Sequence, residues 1–431
     1  MATVAVLGLG VSGKAAALFL LAKGYRVFGI EEKLNSEKEA ELAFLKQKGV
    51  ILSSRLSFPI GSPLSFAVVS PGVSPRSAAF QELVAQGVKI IGEADLCLKE
   101  ARQTILGITG TNGKTTVTLL TEHILRAAGK KARAVGNVGD PFGSYFLQPD
   151  PEEILVAELS SFQLETLQQS VFDSAIILNL TPDHLDRHGS MRAYAQAKAQ
   201  IGRCLKGESS SFFIYHEMVK EYRSLLSGLP FMSFGESEEK IADIVPQEYR
   251  KLPRHERENL FAAWLLVHSC GVTLAQFREA CLTFKKPAHR IEFVASIDGV
   301  RYFNDSKGTN VDATRSAVDA MEGSVYLIVG GVDKGGSYQL WKRAFGTKVK
   351  KLLAIGEAAG KILSEMGADY DVEVVKTLPE AVGRAAGLAG RGENVLLSPG
   401  CASFDQFRDY KDRGEKYKQL IVTLEERSRN S

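Results

Sequence analysis

This sequence predicts a three-domain α/β protein, on three observations. The chain has 431 residues, enough for about three folding units at roughly 150 residues each. Short apolar, β-branched runs alternate with helical stretches along its whole length, the pattern of parallel, doubly wound sheets. Each of the three units also carries its own glycine-rich turn from strand to helix.

The first unit opens on a strand at Thr3–Leu7, a helix over Ser12–Lys23 and a second strand at Tyr25–Ile30, with later strands at Phe66–Ser70 and Lys89–Ile91. It ends near Gly92. The second opens on Thr104–Thr109 and a helix over Val117–Ala128, followed by strands at Glu153–Ala157, Ser174–Leu178 and Phe212–Tyr215 and an apolar helix at Asn259–Ser269. Lys285–Pro287 reads as a linker. In the third, Ile291–Ile297 and Arg301–Asn304 flank Asp298-Gly299, a hairpin turn. Strands at Val325–Val329, Lys351–Ile355, Glu373–Val375 and Asn394–Leu397 follow. The expected domains are therefore 1–93, 94–287 and 288–431.

Composition excludes several classes. Apolar residues are 45% and charged residues 24%, globular values that exclude a disordered chain. Lysine plus arginine is 53 against 50 for aspartate plus glutamate, a net charge of +3, so no nucleic-acid partner is expected. No apolar run approaches the ~18 residues of a membrane span, and no membrane association is expected. Met1–Leu21 lacks a basic start and Lys14 interrupts its apolar stretch, unlike a signal peptide. Cys97, Cys204, Cys270, Cys281 and Cys401 show no paired spacing, which points to reduced thiols in a cytoplasmic protein. Glycine is the departure: 40 residues, most of the excess in short clusters.

The strongest cluster is Gly107-Ile-Thr-Gly110-Thr111-Asn112-Gly113-Lys114-Thr115-Thr116, between a strand and a helix. Glycines let backbone N–H groups turn onto phosphate oxygens, and the helix N-terminus adds positive potential. Lys114 would reach the terminal phosphates and Thr115 would ligate Mg²⁺. The pattern is imperfect, because Ile108 stands five before Gly113 where a glycine is usual. Gly8-Leu-Gly10-Val11-Ser12-Gly13 fits a diphosphate-binding turn, with acidic Glu31 after the next strand, for NAD or for another nucleotide. Ser70-Pro71-Gly72 closes another strand of the same sheet, so the two loops can face one ligand.

Glu158, after the strand of the phosphate-loop sheet, is well placed for Mg²⁺. Asn179–His188 holds two histidines and two aspartates beyond a strand, a functional loop with metal-ligating groups. Lys198 lies in a helical stretch where most lysines are simply solvated; physics alone does not select it. His289-Arg290-Ile-Glu292, Asn304–Asn310, Gly330–Gly335 and Ser398–Phe407 are four polar loops at the strand ends of one sheet, which make a binding edge.

Together these loops resemble the Mur ligase family of ATP-dependent amide ligases. The carrying motifs are Gly107–Thr115, Glu158-Leu-Ser-Ser-Phe-Gln-Leu, Pro182-Asp-His-Leu-Asp, Ala197-Lys198, His289-Arg290-Ile-Glu and Asn304-Asp-Ser-Lys, spread over essentially the whole chain. Ser70–Gly72, Glu158–Leu164 and Leu397–Phe407 resemble the branch of the family that adds D-glutamate to UDP-N-acetylmuramoyl-L-alanine.

The resemblance implies a Rossmann-like N-terminal domain for the UDP-sugar, a central phosphate-loop ATPase-like domain and a C-terminal Rossmann-like domain for the amino acid. It makes the first ligand a uridine diphosphate rather than NAD. It places Val11, Ser12, Glu31, Ser70, Pro71, Gly72 and Asn137 at the sugar nucleotide. Gly110, Thr111, Asn112, Gly113, Lys114, Thr115 and Thr116 go to ATP, with Asn259 at adenine and Arg290 and Asp305 at the ribose and phosphates. It implies two Mg²⁺ ions, held by Thr115, Glu158, His184 and a carbamylated Lys198. His184 also belongs to the substrate set, and Lys114, His184 and Lys198 to the catalytic one. Lys307, Thr309, Lys334, Ser403, Phe404 and Tyr410 match positions around D-glutamate. Two departures stand out: Glu256 replaces an asparagine common at the adenine site, and Tyr410 replaces a phenylalanine.

The implied activity is ATP-dependent amide formation through an acyl phosphate in peptidoglycan precursor synthesis, by a cytoplasmic monomer. The nearest rival is another Mur-type or folylpolyglutamate-type ligase. A dehydrogenase leaves the phosphate loop without work, and a non-catalytic scaffold does not need Lys114.

Overall fold

We describe a computed structural model covering residues 1–55 and 64–429. Three sheets account for its strands. The first contains β1 (Thr3–Leu7), β2 (Arg26–Ile30), β3 (Ile51–Ser53), β4 (Phe66–Val69) and β5 (Ile90–Gly92), in the order β3-β2-β1-β4-β5. All of its pairings are parallel. β1 is buried along its whole length because it is central and covered on both faces, which is why it reads as a continuous apolar run. The order reverses between β1 and β4, and a parallel sheet opens a crevice beyond its strand ends at such a point. The Gly8–Gly13 turn and the Ser70–Gly72 loop sit on its two sides.

The second sheet contains β6 (Thr104–Thr109), β7 (Ala132–Gly136), β8 (Ile154–Glu158), β9 (Ser174–Ile177), β10 (Ser211–Tyr215) and β11 (Met232–Phe234). It is wholly parallel, ordered β11-β10-β9-β6-β8-β7. Its core packs Leu106, Ile108, Val156 and Ile176 against Val117, Leu120 and Ile124 of the helix after the phosphate loop and Leu266 of the helix Arg254–His268.

The third sheet contains β12 (Glu292–Ile297), β13 (Val300–Asn304), β14 (Val325–Gly330), β15 (Val349–Ile355), β16 (Val372–Val374) and β17 (Asn394–Leu397), ordered β12-β13-β17-β14-β15-β16. β12 and β13 form the expected hairpin and are antiparallel; the remaining pairings are parallel. Both turn residues, Asp298 and Gly299, have positive φ, as a two-residue loop between right-twisted strands requires.

The chain divides into two compact units. Residues 1–180, 192–252 and 256–284 form one, with the first two sheets. Residues 181–191, 253–255 and 285–431 form the other, with the third. Inside the first unit, the helices Val11–Ala22 and Phe142–Tyr145 touch backbone to backbone. A Cβ on Gly143 would overlap the main chain of Ala15.

Several expected bounds shift. The helix after the phosphate loop starts at Lys114, three residues before the first apolar position that had marked it. The Asn259–Ser269 helix begins at Arg254, because its first turn is polar and carries no hydrophobic signal. β3, β7 and β11 escaped notice, being short or interrupted by charged and polar residues.

Candidate active site

The phosphate loop stands at the carboxyl edge of the second sheet, between β6 and its helix. Gly113 has φ +85°, a left-handed backbone that favours glycine, and a Cβ there would press on the side-chain amide of Asn259. Asn259, the expected adenine contact, therefore packs directly on the loop. Asn179, at the end of β9, fixes the loop's shape. Its Oδ1 accepts from the N–H of Asn112 (2.8 Å) and of Thr111 (3.2 Å), while its Nδ2 donates to the Asn112 carbonyl (3.0 Å). The Thr111 hydroxyl meets that of Tyr194 at 3.2 Å.

Two lysines converge on one carbonyl. Lys114 Nζ donates to Gly110 O at 2.9 Å and to Thr111 O at 2.7 Å, and Lys198 Nζ donates to Gly110 O at 2.7 Å. Lys198 is 1% exposed and lies 4.6 Å from the centre of the Tyr194 ring. Lys198 is therefore not one of the solvated helix lysines; helix Met191–Arg203 turns it inward.

Glu158 ends β8, the neighbour of β6, and is 1% exposed. Its Oε1 accepts from Asn137 Nδ2 at 2.7 Å, while the buried Oε2 has no hydrogen-bond partner among the described residues. A desolvated, unsatisfied carboxylate oxygen is costly. Beside a phosphate loop it is a hard oxygen ligand of the kind Mg²⁺ takes. Thr115, also buried, faces the same edge from the first turn of the helix. These residues fit the expected ion.

In the first sheet's crevice, the expected sugar-nucleotide residues also hold the turn together. Ser70 Oγ donates to Gly8 O at 2.6 Å, and Glu31 Oε2 accepts from Leu9 N at 2.9 Å. A side chain at Gly13 would overlap Gly8 O. Val11 is 73% exposed at the helix start, an apolar residue left open above the turn.

The other unit assembles the expected amino-acid residues. Lys334 Nζ donates to Asp183 Oδ1 (3.1 Å) and Thr309 Oγ1 (3.3 Å), and Asn310 Nδ2 donates to Asp183 Oδ2 (3.2 Å). His184 takes a left-handed backbone at φ 55° beside Asp183. Lys307 Nζ lies 4.0 Å from the centre of the Tyr410 ring, a cation–π pair that keeps both at the edge. Ser403 is buried and Phe404 exposed. Arg290 sits between two left-handed residues, His289 and Ile291, and its Nε is buried without a hydrogen-bond partner among the described residues. Asp305, also buried, accepts from Ile291 N through Oδ1 at 3.3 Å. Burial pushes its carboxyl up to about 7, against hydrogen bonding from Ser398 and the charges of Arg290 and Arg413.

Sequence reading missed Arg413. Its guanidinium is wholly buried and donates to Ser306 Oγ (3.0 Å), Ser306 O (2.9 Å) and Cys401 O (3.3 Å). It thus ties two of the polar loops together. No local signal marks it, since an arginine in a charged helix reads as solvated. Glu93 was missed for the same reason: it is 2% exposed, and its Oε1 accepts from Gly143 N at 2.9 Å.

Three mainly parallel sheets, a glycine-rich turn from strand to helix beside a buried carboxylate, and polar loops at strand ends define a multidomain α/β protein. Sequence models of known families match it in three consecutive stretches: a MurD-like N-terminal domain over residues 2–92, the Mur ligase middle domain over 108–264 and the Mur ligase glutamate ligase domain over 289–401. The chain belongs to the Mur ligase family. A UDP-N-acetylmuramoylalanine–D-glutamate ligase of Protochlamydia amoebophila is 43% identical to it, with 97% of each chain covered. The ligase of that name from Chlamydia pneumoniae is 35% identical over 97% of this chain and 98% of its own. Among solved structures, MurF of Acinetobacter baumannii superposes with a TM-score of 0.63 at 17% identity, covering 98% of this chain and 93% of its own. UDP-N-acetylmuramate-alanine ligase of Thermotoga maritima gives 0.60 at 16% identity, covering 98% and 100%. These last two share the fold.

Proposed function

We propose that this protein joins D-glutamate to UDP-N-acetylmuramoyl-L-alanine by ATP-dependent amide formation, a step of peptidoglycan precursor synthesis. The observation that carries the chemistry is the carboxyl edge of the second sheet, where Lys114 and Thr115 stand beside the half-satisfied carboxylate of Glu158. The choice of amino acid rests on the full-length relatives.

In this reading residues 1–93 hold the UDP-sugar through Val11, Ser12, Glu31, Ser70, Pro71 and Gly72, with Asn137 reaching it from the central domain. Residues 94–287 hold ATP on Gly110–Thr116 and Asn259, with Arg290 and Asp305 from residues 288–431. The alanyl carboxylate attacks the γ-phosphorus of ATP, an acyl phosphate forms and ADP leaves. The amine of D-glutamate then attacks the acyl carbon, the amide forms and phosphate departs with the carboxylate's former oxygen. Two anions meet in the first step, so Lys114 acts by offsetting charge along the transferring phosphoryl group. Thr115, Glu158, His184 and Lys198 are the residues that would hold Mg²⁺, which supplies Lewis-acid neutralisation of the phosphates when bound. Lys307, Thr309, Lys334, Ser403, Phe404 and Tyr410 receive D-glutamate, with Lys334 the cation for a carboxylate.

Carbamylation of Lys198 has a physical motive here. Two ammonium groups on one buried carbonyl repel each other. Attack of the neutral Lys198 amine on CO₂, with loss of a proton, replaces one cation by an anion able to ligate metal. The protein works as a cytoplasmic monomer in this reading.

The test is phosphate release with ATP, the UDP-sugar and a panel of amino acids. D-glutamate should support release well above L-alanine or L-lysine. Equal release with all three would refute the assignment.

A further inference from the structure

We propose that Ser398 is a positioning residue for ATP, acting through the carboxylate of Asp305. The inference rests on the role given to Asp305 above. Ser398 opens the loop after β17, a segment otherwise assigned to D-glutamate, yet its side chain turns to the neighbouring loop after β13. Its hydroxyl donates to Asp305 Oδ2 at 2.6 Å, and Ser398 is 0% and Asp305 5% exposed.

The surroundings are built around this pair. A Cβ on Gly308 would overlap both Asp305 Oδ2 and Ser398 Oγ, so glycine is needed there to admit the bond. Gly308 N donates to Asp305 O at 2.8 Å, and Gly400 N donates to Gly308 O at 2.8 Å. Thr314 Oγ1 donates to Ser398 O at 3.1 Å, which holds the serine's own backbone. With Oδ2 held by Ser398, the other oxygen, Oδ1, is left to accept from Ile291 N. That residue is left-handed at φ 46°, an uncommon state for a β-branched side chain, and it directly follows Arg290. The chain of contacts therefore runs Ser398 hydroxyl, Asp305 carboxylate, strained Ile291, Arg290.

The hydroxyl also bears on the charge of the carboxylate: burial disfavours the ionised form, and the bond from Ser398 opposes that. Asp305 is buried and is faced by Arg290 and, from the C-terminal helix Tyr410–Arg429, by Arg413. A donor aimed at one oxygen favours the ionised form over the neutral acid. Loss of the hydroxyl both frees the carboxylate to rotate and makes it easier to protonate.

The experiment compares full-length wild type, Ser398→Ala, Ser398→Thr and Ser398→Cys by steady-state kinetics and by equilibrium binding of a non-hydrolysable ATP analogue. A hydrogen bond to a charged group corresponds to roughly a tenfold effect, so Ser398→Ala should raise KM for ATP and Kd for the analogue about tenfold. The rise in KM for D-glutamate should be smaller. The acid limb of kcat/KM for ATP should move to higher pH, and Ser398→Thr, which keeps the donor, should restore both. Unchanged ATP affinity and an unchanged pH profile in Ser398→Ala, whatever its thermal stability, would overturn the proposal. If the alanine variant does not fold, Ser398→Cys, similar in shape but a weak donor, takes its place: weaker ATP binding supports the proposal and wild-type binding overturns it. A wild type that binds the analogue but releases no phosphate with D-glutamate sinks the assigned reaction instead, and the binding arm still decides Ser398.

Discussion

Lys114 and Lys198 illustrate how differently two lysines can be read. Lys114 is legible from its loop, because glycines, a hydroxyl and a strand-to-helix context agree. Lys198 carries no such physical signature; the resemblance alone selects it, and its 1% exposure and its bond to Gly110 O set it against the phosphate loop. Lys114→Ala should cut phosphate release by roughly 10²–10³-fold, the scale of losing one preorganised charge-stabilising group. A fully active alanine variant, measured at saturating ATP, would remove the assignment. Lys198→Ala should be inactive and partly rescued by added formate or acetate, which replaces the lost carboxylate; activity without any additive would exclude the carbamate.

Glu93 gives a prediction about stability. Burial raises its carboxyl to about 7 from an ordinary 4.5, with bonds from Gly143 N and Ser12 opposing the rise. A raised folded-state value favours the protonated form, so its contribution is fully present below 4.5 and is lost as pH climbs through 7. Glu93→Gln mimics that neutral form and keeps the acceptor for Gly143. It should therefore melt above the wild type at pH 8, by an amount corresponding to at most roughly 3 kcal/mol, with the gap closing towards pH 5. A gap that is constant with pH would show that the carboxyl is ionised throughout.

At the scale of elements, the strands were largely legible because buried parallel strands are continuous apolar runs. β1, β6 and β17 fall where their residues place them. β11 did not show itself, since two of its three residues are exposed and polar spacing hides it. Helix starts were the weakest point, as polar first turns carry no periodicity. Gly113 joins element to site: it caps the helix Lys114–Ala127 in a left-handed conformation and leaves room for Asn259. Gly113→Ala should raise Kd for ATP by more than tenfold while the rest of the fold survives, because strain of about 1 kcal/mol per left-handed residue adds to a steric clash at Asn259. Titration calorimetry with an ATP analogue reads this directly, and wild-type affinity would show that the loop tolerates a side chain.

At the scale of the molecule, the proposed reaction brings three substrates to a water-sensitive acyl phosphate, which calls for closure around the reactants. Small-angle scattering should show a smaller radius of gyration when ATP analogue and UDP-sugar are both present than with neither. Identical profiles would argue against closure.

The sequence by itself determined the class. Apolar alternation set three α/β sheets, and the glycine-rich turns located the strand ends where ligands gather. The near-neutral charge is consistent with nucleotides handled by a few placed cations rather than a basic surface. Tertiary structure alone decided which polar residues matter together. Glu93 and Arg413 read as ordinary residues in the chain, and Asn179 and Ser398 only as the first members of polar loops; their roles come from partners 50, 107, 67 and 93 positions away. The physical reason is that periodicity reports which face of an element is buried. It does not report which distant hydrogen-bonding group a buried polar side chain meets, and that meeting sets its charge, its orientation and its use.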